Sequence, residues 1–342
     1  MKNGFVLSLV FLVLLSCSSK RKIKEIGKVH VIKKIKFNKQ YNFEILENYS
    51  NNIIGYSKKE DALIVLDENG NNLSYYQKIG KGPGEFMTNS PLRVFGKNKN
   101  KLYTYCKQLH KIIIFQIKKN NSINFFEEYN LKRAKLLYGT IQNDKLYTTA
   151  IFSEKILYEY DLNLNFIDSF IKRDNKLAKN MSAEQIRKYL IQSTWVVHVK
   201  NDKVVLINKM NNEFRIYEEK KHKFLLKVSK NLCSDKPKSY KSKSFQNREK
   251  KKVIVQSSGY LNSKISGDKV FIAYSPEDLF ISYIDVYNLS GDYLGRYIIE
   301  NSKRFSIKSC YFTSNQKMYF VRKYENNKKH SNILFEFKLL KN

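Results

Sequence analysis

The side chains able to carry chemistry are scattered along the chain. His30, His110, His198, His222 and His330 lie far apart, and none has a partner at HExxH or other metal-ligand spacing. Each reads as a surface or strand-end histidine, so no metal and no cofactor are expected. No serine sits in a G-x-S-x-G elbow, and Ser257-Ser258-Gly259 lacks the strand-to-helix context that such an elbow needs. The carboxylate pairs Glu127-Glu128 and Glu218-Glu219 are adjacent at turns or strand ends. Neighbours on a strand point to opposite faces, which prevents an acid and base from cooperating. Cys106 and Cys310 fall in or beside strands and are expected to be buried and inert. With Cys233 they make an odd set beyond Cys17, so no complete disulfide framework exists, although one bond is open in an oxidising compartment. No catalytic residue is assigned on these grounds, and the chain is read as a non-enzyme.

Two segments have a more specific chemistry. At the N-terminus Lys2 precedes an apolar run from Phe5 to Leu15, followed by Ser16 and Cys17. A charged start, a short apolar core and a small residue are the pattern of a secretory signal. The run is too short for a bilayer span, which takes about 20 residues. Cys17 in that position makes a lipobox: residues 1–16 are read as a signal peptide and Cys17 as the acylated residue. Residues 17–27, including the basic Lys20-Arg21-Lys22, form the tether. The second segment, Lys236 to Lys252, is densely basic and interrupted by aromatics. Tyr240, Lys241, Lys243, Phe245 and Arg248 are its candidate ligand-binding residues, a basic loop able to clamp an acidic partner.

These segments need a scaffold, and internal repetition supplies one. Leu66, Phe115, Tyr160, Tyr217, Tyr287 and Phe337 mark equivalent strands, each preceded by a polar turn such as Asn143-Asp144 or Gly267-Asp268. With one further apolar strand ahead of each turn, every unit holds about four strands, the repeat of a propeller blade. The expectation is an all-β, six-bladed propeller over residues 28–342, made of four-stranded blades. The sixth unit ends after its third strand, and His30 to Phe37 is the spare strand expected to close the ring. Two units are oversized, with insertions near 176–193 and 232–257. The first carries the capping box Ser182-Ala183-Glu184-Gln185 and apolar residues at helical spacing, hence a short helix. The 22 Phe and 24 Tyr suit strands, and only 4 Pro argues against a linker-rich chain.

Ile79-Gly80-Lys81-Gly82-Pro83-Gly84-Glu85-Phe86 is not a phosphate-binding loop, because no Lys-Ser or Lys-Thr follows its last glycine. Gly80, Gly82, Pro83 and Gly84 form a structural turn that lets Phe86 enter the core between blades. From Gly80 to Phe115 the chain resembles an NHL repeat. With the lipobox in front, the whole is similar to the six-bladed β-propeller lipoproteins of Bacteroidota, of NHL-like or TolB-like type. Other units lack the Gly-Pro-Gly turn, and Cys106 stands where the repeat usually has an acidic residue. The resemblance implies the fold and a place in the cell envelope, and little about the ligand. The basic residues after Cys17, where surface-displayed members are acidic, point to an anchor in the outer membrane facing the periplasm.

The net charge of +32, from 63 basic and 31 acidic residues, invites polyanions. The lysines are spread evenly, however, and export argues against nucleic acid. The leading expectation is an envelope-anchored binding or scaffolding propeller that holds a protein partner. The alternatives are a metal-dependent lyase or lactonase-like enzyme and a polyanion-binding surface protein.

Overall fold

The structure, a computed structural model, describes residues 24–36, 43–57, 60–88, 92–131, 135–151, 153–173, 182–210, 213–220, 223–231, 241–246, 252–257, 260–274, 281–300, 305–312, 318–324 and 333–341. Strand β1 (Glu25–Lys36) comes first and begins inside the stretch read as tether. A meander of β2 (Phe43–Tyr49), β3 (Asn52–Ser57), β4 (Ala62–Leu66) and β5 (Asn72–Tyr76) follows. The second meander is β6 (Arg93–Asn98), β7 (Lys101–Cys106), β8 (Lys111–Ile117) and β9 (Ile123–Asn130). The third is β10 (Lys135–Gln142), β11 (Lys145–Ile151), β12 (Lys155–Asp161) and β13 (Phe166–Lys172). Helix α1 (Ala183–Ser193) leads to the fourth: β14 (Trp195–Lys200), β15 (Lys203–Asn208), β16 (Glu213–Lys220) and β17 (Lys223–Asn231). A hairpin, β18 (Lys241–Gln246) with β19 (Lys252–Ser257), precedes the fifth: β20 (Tyr260–Ser266), β21 (Lys269–Tyr274), β22 (Ile281–Asn288) and β23 (Tyr293–Glu300). Strands β24 (Phe305–Phe312), β25 (Met318–Tyr324) and β26 (Ile333–Lys341) complete the order.

The first four meanders are separate four-stranded antiparallel sheets. The remaining blade strands make one eight-stranded sheet, ordered β20-β21-β22-β23-β1-β26-β25-β24. The chain is thus a propeller of four-stranded units, but among the described residues it has five blade sheets rather than the six separate blades expected. The cause is β1. It pairs antiparallel with β26 from Gly27↔Lys341 to Lys36↔Ile333, as a closing strand would. Its other edge pairs in parallel with β23 from Glu25↔Arg296 to Lys28↔Ile298. An uncovered strand edge is a template for further pairing, and β23 occupies it, so β1 fuses two meanders instead of completing a blade of its own. Closure by the N-terminal strand is partial in that sense.

Burial explains the strand sequences. Ile112 to Phe115 in β8 and Ala62 to Leu66 in β4 are buried at every position, because middle strands are covered on both faces by neighbouring sheets. Fourth strands such as β13 are mostly exposed. The apolar clusters lie between successive sheets. Tyr56, Leu63 and Tyr76 meet Phe86, Ile113 and Phe115, and Tyr105 and Ile112 meet Leu146 and Tyr160. Val205 and Phe214 likewise meet Val270 and Tyr287. Each large apolar side chain so buried contributes about 1.5–3 kcal/mol.

Helix α1 starts at Ser182, whose Oγ accepts from Gln185 N while Gln185 Oε1 accepts from Ser182 N, the expected capping box. Tyr189 and Leu190 form its buried face. Cys106 and Cys310 are buried thiols that form no disulfide among the described residues.

Candidate binding site at the channel mouth

The first strands of successive meanders, β2, β6, β10, β14, β20 and β24, lie side by side around a common axis. Five of them carry a bulge in the ladder to the second strand: at Ile45/Glu47, Val94/Gly96, Leu136/Tyr138, Tyr260/Asn262 and Ile307/Ser309. A bulge inserts one residue and so changes the face to which the following side chains point. Strand β14 runs without one, from Trp195↔Asn208 to Lys200↔Lys203.

Lys209 follows the last residue of β15 and lies beside the start of β14, its backbone N–H donating to Thr194 O at 3.2 Å. Its Nζ donates to Tyr138 Oη at 2.7 Å and lies 5.1 Å from the Tyr138 ring centroid and 5.6 Å from that of Tyr260. The Arg93 guanidinium stacks over the same Tyr138 ring at 5.1 Å. Two cations and two aromatic rings therefore surround the axis where the first strands begin, each cation–π contact being worth about 0.5–1 kcal/mol when exposed and more when desolvated.

Further along the strands, His198 Nε2 and Ser263 Oγ are 2.7 Å apart, as are Ser263 Oγ and Tyr260 Oη. Burial, reinforced by the positive charge of Lys264, lowers the His198 pKa from 6.5 to about 4. The imidazole is therefore neutral at pH 7, and Nε2 can accept the Ser263 hydroxyl proton while Tyr260 donates to Ser263. Burial raises the Tyr260 phenol well above its usual range. Lys264 follows: burial depresses its ammonium, and Glu47 across the axis on β2 offsets part of that effect. The buried Lys264 Nζ meets no hydrogen-bond partner among the described residues. Deeper on the β2 side, Lys97 Nζ donates to Asn48 O at 3.0 Å.

The His198–Ser263 contact has the spacing of a base and a nucleophile. A base with a pKa of about 4 is poorly matched to neutral pH, and Ser263 is only 4% exposed. No group of three His, Cys, Asp or Glu able to hold a metal occurs among the described residues.

The glycine motif lies between β5 and β6 as a strap. Gly80 N donates to Phe86 O at 3.2 Å and Phe86 N to Lys78 O at 3.0 Å. Gly82 N donates to Glu85 Oε2 at 2.7 Å and Gly84 N to Glu128 Oε2 at 2.9 Å. Lys111, 2% exposed, ties strap to sheet: its Nζ donates to Gly82 O at 2.8 Å and pairs with Glu128 at 2.7 Å. Gly84 has φ +72°, and a Cβ there would lie 2.7 Å from both the Phe125 ring and Tyr76 Oη. Pro83 falls at the apex, and Phe86 is fully buried against Tyr56.

Of the basic insertion, Lys241, Lys243 and Phe245 lie on β18, in a regular antiparallel ladder with β19 from Lys241↔Ser257 to Gln246↔Lys252. That part is a hairpin rather than the loop expected, and its backbone runs beside α1. Tyr240 and Arg248 lie outside the described residues, as does Cys17. The strap, α1 and the hairpin each connect a fourth strand to the next first strand. Topology therefore puts all three at the end of the ring where Lys209, Tyr138, Arg93 and Tyr260 stand. Sequence reading missed that cluster. Its members are single polar or aromatic residues from four successive meanders, up to 167 positions apart between Arg93 and Tyr260, and only the packing of those meanders side by side brings them together.

No protein-family model and no curated protein matches this sequence. Among solved structures, a Bacteroides fragilis protein described as exported is similar over 94% of this chain and 98% of its own, at 13% identity and a TM-score of 0.58. A DUF4221 family member from Bacteroides vulgatus is similar over 93% of this chain and 100% of its own, at 8% identity and a TM-score of 0.56. Streptogramin B lyase covers 91% of this chain and 98% of its own, at 8% identity and a TM-score of 0.50. Likeness at such identities establishes what the strand order already shows, a β-propeller spanning nearly the whole chain.

Proposed function

We propose that this chain is an envelope-anchored lipoprotein whose propeller binds a ligand, without chemistry, at the end of the ring where the first strands begin. One observation carries the reading. The Lys209–Tyr138–Tyr260–Arg93 cluster lies at the same end as the strap, α1 and the basic β18–β19 hairpin, so these three connections share one face with it. Binding residues concentrate on such connections over a rigid scaffold. The anchor rests on Cys17 and the apolar run before it, and the exported Bacteroides fragilis neighbour is in keeping with an envelope location. No helix among the described residues is long and apolar enough to cross a membrane. The shared position of the bulge in the β26–β1 ladder and in the outer ladders of the other meanders supports reading the eight-stranded sheet as two blades joined at β1.

A photo-cross-linking residue placed at Lys241, and separately at Ile167 on the exposed rim of β13, tests the face in intact envelope membranes. Adducts at 241 and none at 167 are expected; equal labelling at both positions, or labelling at 167 alone, overturns the reading. Incorporation of labelled palmitate into the wild type and its loss in Cys17→Ala tests the anchor.

A further inference from the structure

We propose that a cavity beside β1 receives one acyl chain of the protein's own Cys17 anchor. This rests on the reading of Cys17 as the lipidated residue. The cavity, of about 540 Å³, lies where β1 and β26 meet the fifth meander, and Ile26, Phe271, Val286, Leu294, Tyr297 and Leu339 line it. That volume falls among pockets that bury a small organic ligand, about 300–1,000 Å³. Its inner wall is apolar: Val286 and Tyr297 are 2% and 6% exposed, and the other four pack against the same apolar cluster. Charge is confined to Lys24, Glu25 and Lys269, which are exposed or half-buried and so stand at the opening. An apolar recess open to water is unfavourable until apolar matter fills it, and with no charge on the inner wall the body that fits is hydrocarbon. Position selects which hydrocarbon. Lys24 O accepts from Arg296 N at 2.8 Å, which fixes the N-terminal segment at the opening. Lys24 is 7 positions after Cys17, a reach of about 25 Å at full extension. An acyl group tethered so closely meets the cavity at an effective concentration on the order of millimolar. The ester and amide oxygens of a lipidated cysteine are acceptors that the Lys24 and Lys269 ammonium groups can serve. The turns that lead into β21 and β23 put the opening at the end of the ring opposite the strap, α1 and the hairpin, so the anchor chain and a ligand on the other face do not compete for space.

The test follows the anchor chain itself. Cells are fed a palmitate analogue that carries a diazirine along its chain. The full lipidated protein is then purified in a steroid-based detergent, which brings no alkyl chain to compete. Irradiation and peptide mapping locate the adducts, which are expected on the peptides holding Phe271 and Leu294 to Tyr297. Leu339→Trp fills the cavity and should lower those adducts about ten-fold with incorporation of the label unchanged. Leu294→Gln, which makes the lining polar, is the second variant should Leu339→Trp fail to fold, and thermal unfolding of each shows whether it has. Adducts spread over other peptides, or cavity adducts that persist in both variants, overturn the proposal. Cavity adducts at the wild-type level in Cys17→Ala also overturn it, since they assign the cavity to a free acyl lipid. Label on the wild type without cavity adducts leaves the anchor standing and removes this inference alone. A wild type that takes up no label removes the anchor, and the inference falls with it.

Discussion

Asp285 on β22 and Arg296 on β23 stand directly opposite each other and form a buried two-pronged ion pair, Nε to Oδ1 at 2.7 Å and Nη2 to Oδ2 at 3.0 Å. The same arginine stacks 3.7 Å above the Tyr283 ring, and its backbone N–H donates to Lys24 O at 2.8 Å. One residue thus joins the fifth meander to the strand that reaches the fused sheet from the N-terminus. Asp285 is fully buried, so neither partner can lose the other without leaving a charge out of water.

Asp285→Asn or Arg296→Met is expected to cost about 3–5 kcal/mol, the usual consequence of stranding one member of a buried pair. The double variant Asp285→Leu with Arg296→Met should cost less than either single change. Guanidinium unfolding of all four proteins checks this, and a double variant worse than both singles would contradict it.

Gly295→Ala tests the docking of β1 more locally. Gly295 has φ +147°, and a Cβ there would stand 2.3 Å from Ile26 Cγ2 and 2.8 Å from Lys24 O. The substitution should cost about 1–3 kcal/mol and release the parallel pairing of Glu25 to Lys28. Amide exchange of residues 25–28 should accelerate while exchange in β8 stays slow.

The strap depends on Lys111. Lys111→Met removes the ammonium that Gly82 O and Glu128 share and leaves the carboxylate with Gly84 N alone of the two contacts described. A loss of about 3 kcal/mol is expected, together with faster proteolysis near Lys81. Equal stability would mean that the glycine motif holds itself.

His198 predicts a pH dependence whose sign is fixed by its depressed pKa. The unfolded chain takes up a proton near pH 6.5, and the folded chain does so only near pH 4. Stability is therefore fully present above about pH 6.5 and falls as the pH drops toward 4, by up to about 3 kcal/mol. His198→Gln, which keeps an acceptor for Ser263, should flatten the curve in that window. An unchanged slope would place the dependence on other groups.

Much of this architecture is readable from the residues alone, and the reason is specific. Leu66, Phe115, Tyr160, Tyr217 and Tyr287 each sit at the bulge between third and fourth strands, and Phe337 at the bulge between β26 and β1. A large side chain at a bulge has a fixed local job, so it recurs at a countable spacing. The capping box of α1 is legible for the same reason. The double pairing of β1 is not, because a strand with apolar residues on both faces does not reveal how many edges will be used. The β18–β19 hairpin left a trace that composition masked: Lys241, Lys243 and Phe245 alternate with Ser242, Ser244 and Gln246, and Val253 with Val255, at the period of a strand. The contact of His198 with Ser263 spans 65 positions and has no local signature at all.

The seam made by β1 also bears on when the molecule can finish folding. Val29 pairs with Leu339 and Lys36 with Ile333, so the earliest strand waits for the latest one. A chain crossing a membrane from its N-terminus would assemble its middle sheets first and hold the longer edge of β1 unpaired until β26 arrived, with only the short parallel pairing to β23 available before then. Long-range pairing of this kind is slow relative to local meanders, and the interval exposes an apolar strand carrying Val29, Val31, Ile32 and Ile35 to other chains. The ring is therefore most vulnerable to mispairing just before its last residues emerge, and chaperone demand should peak at that late stage.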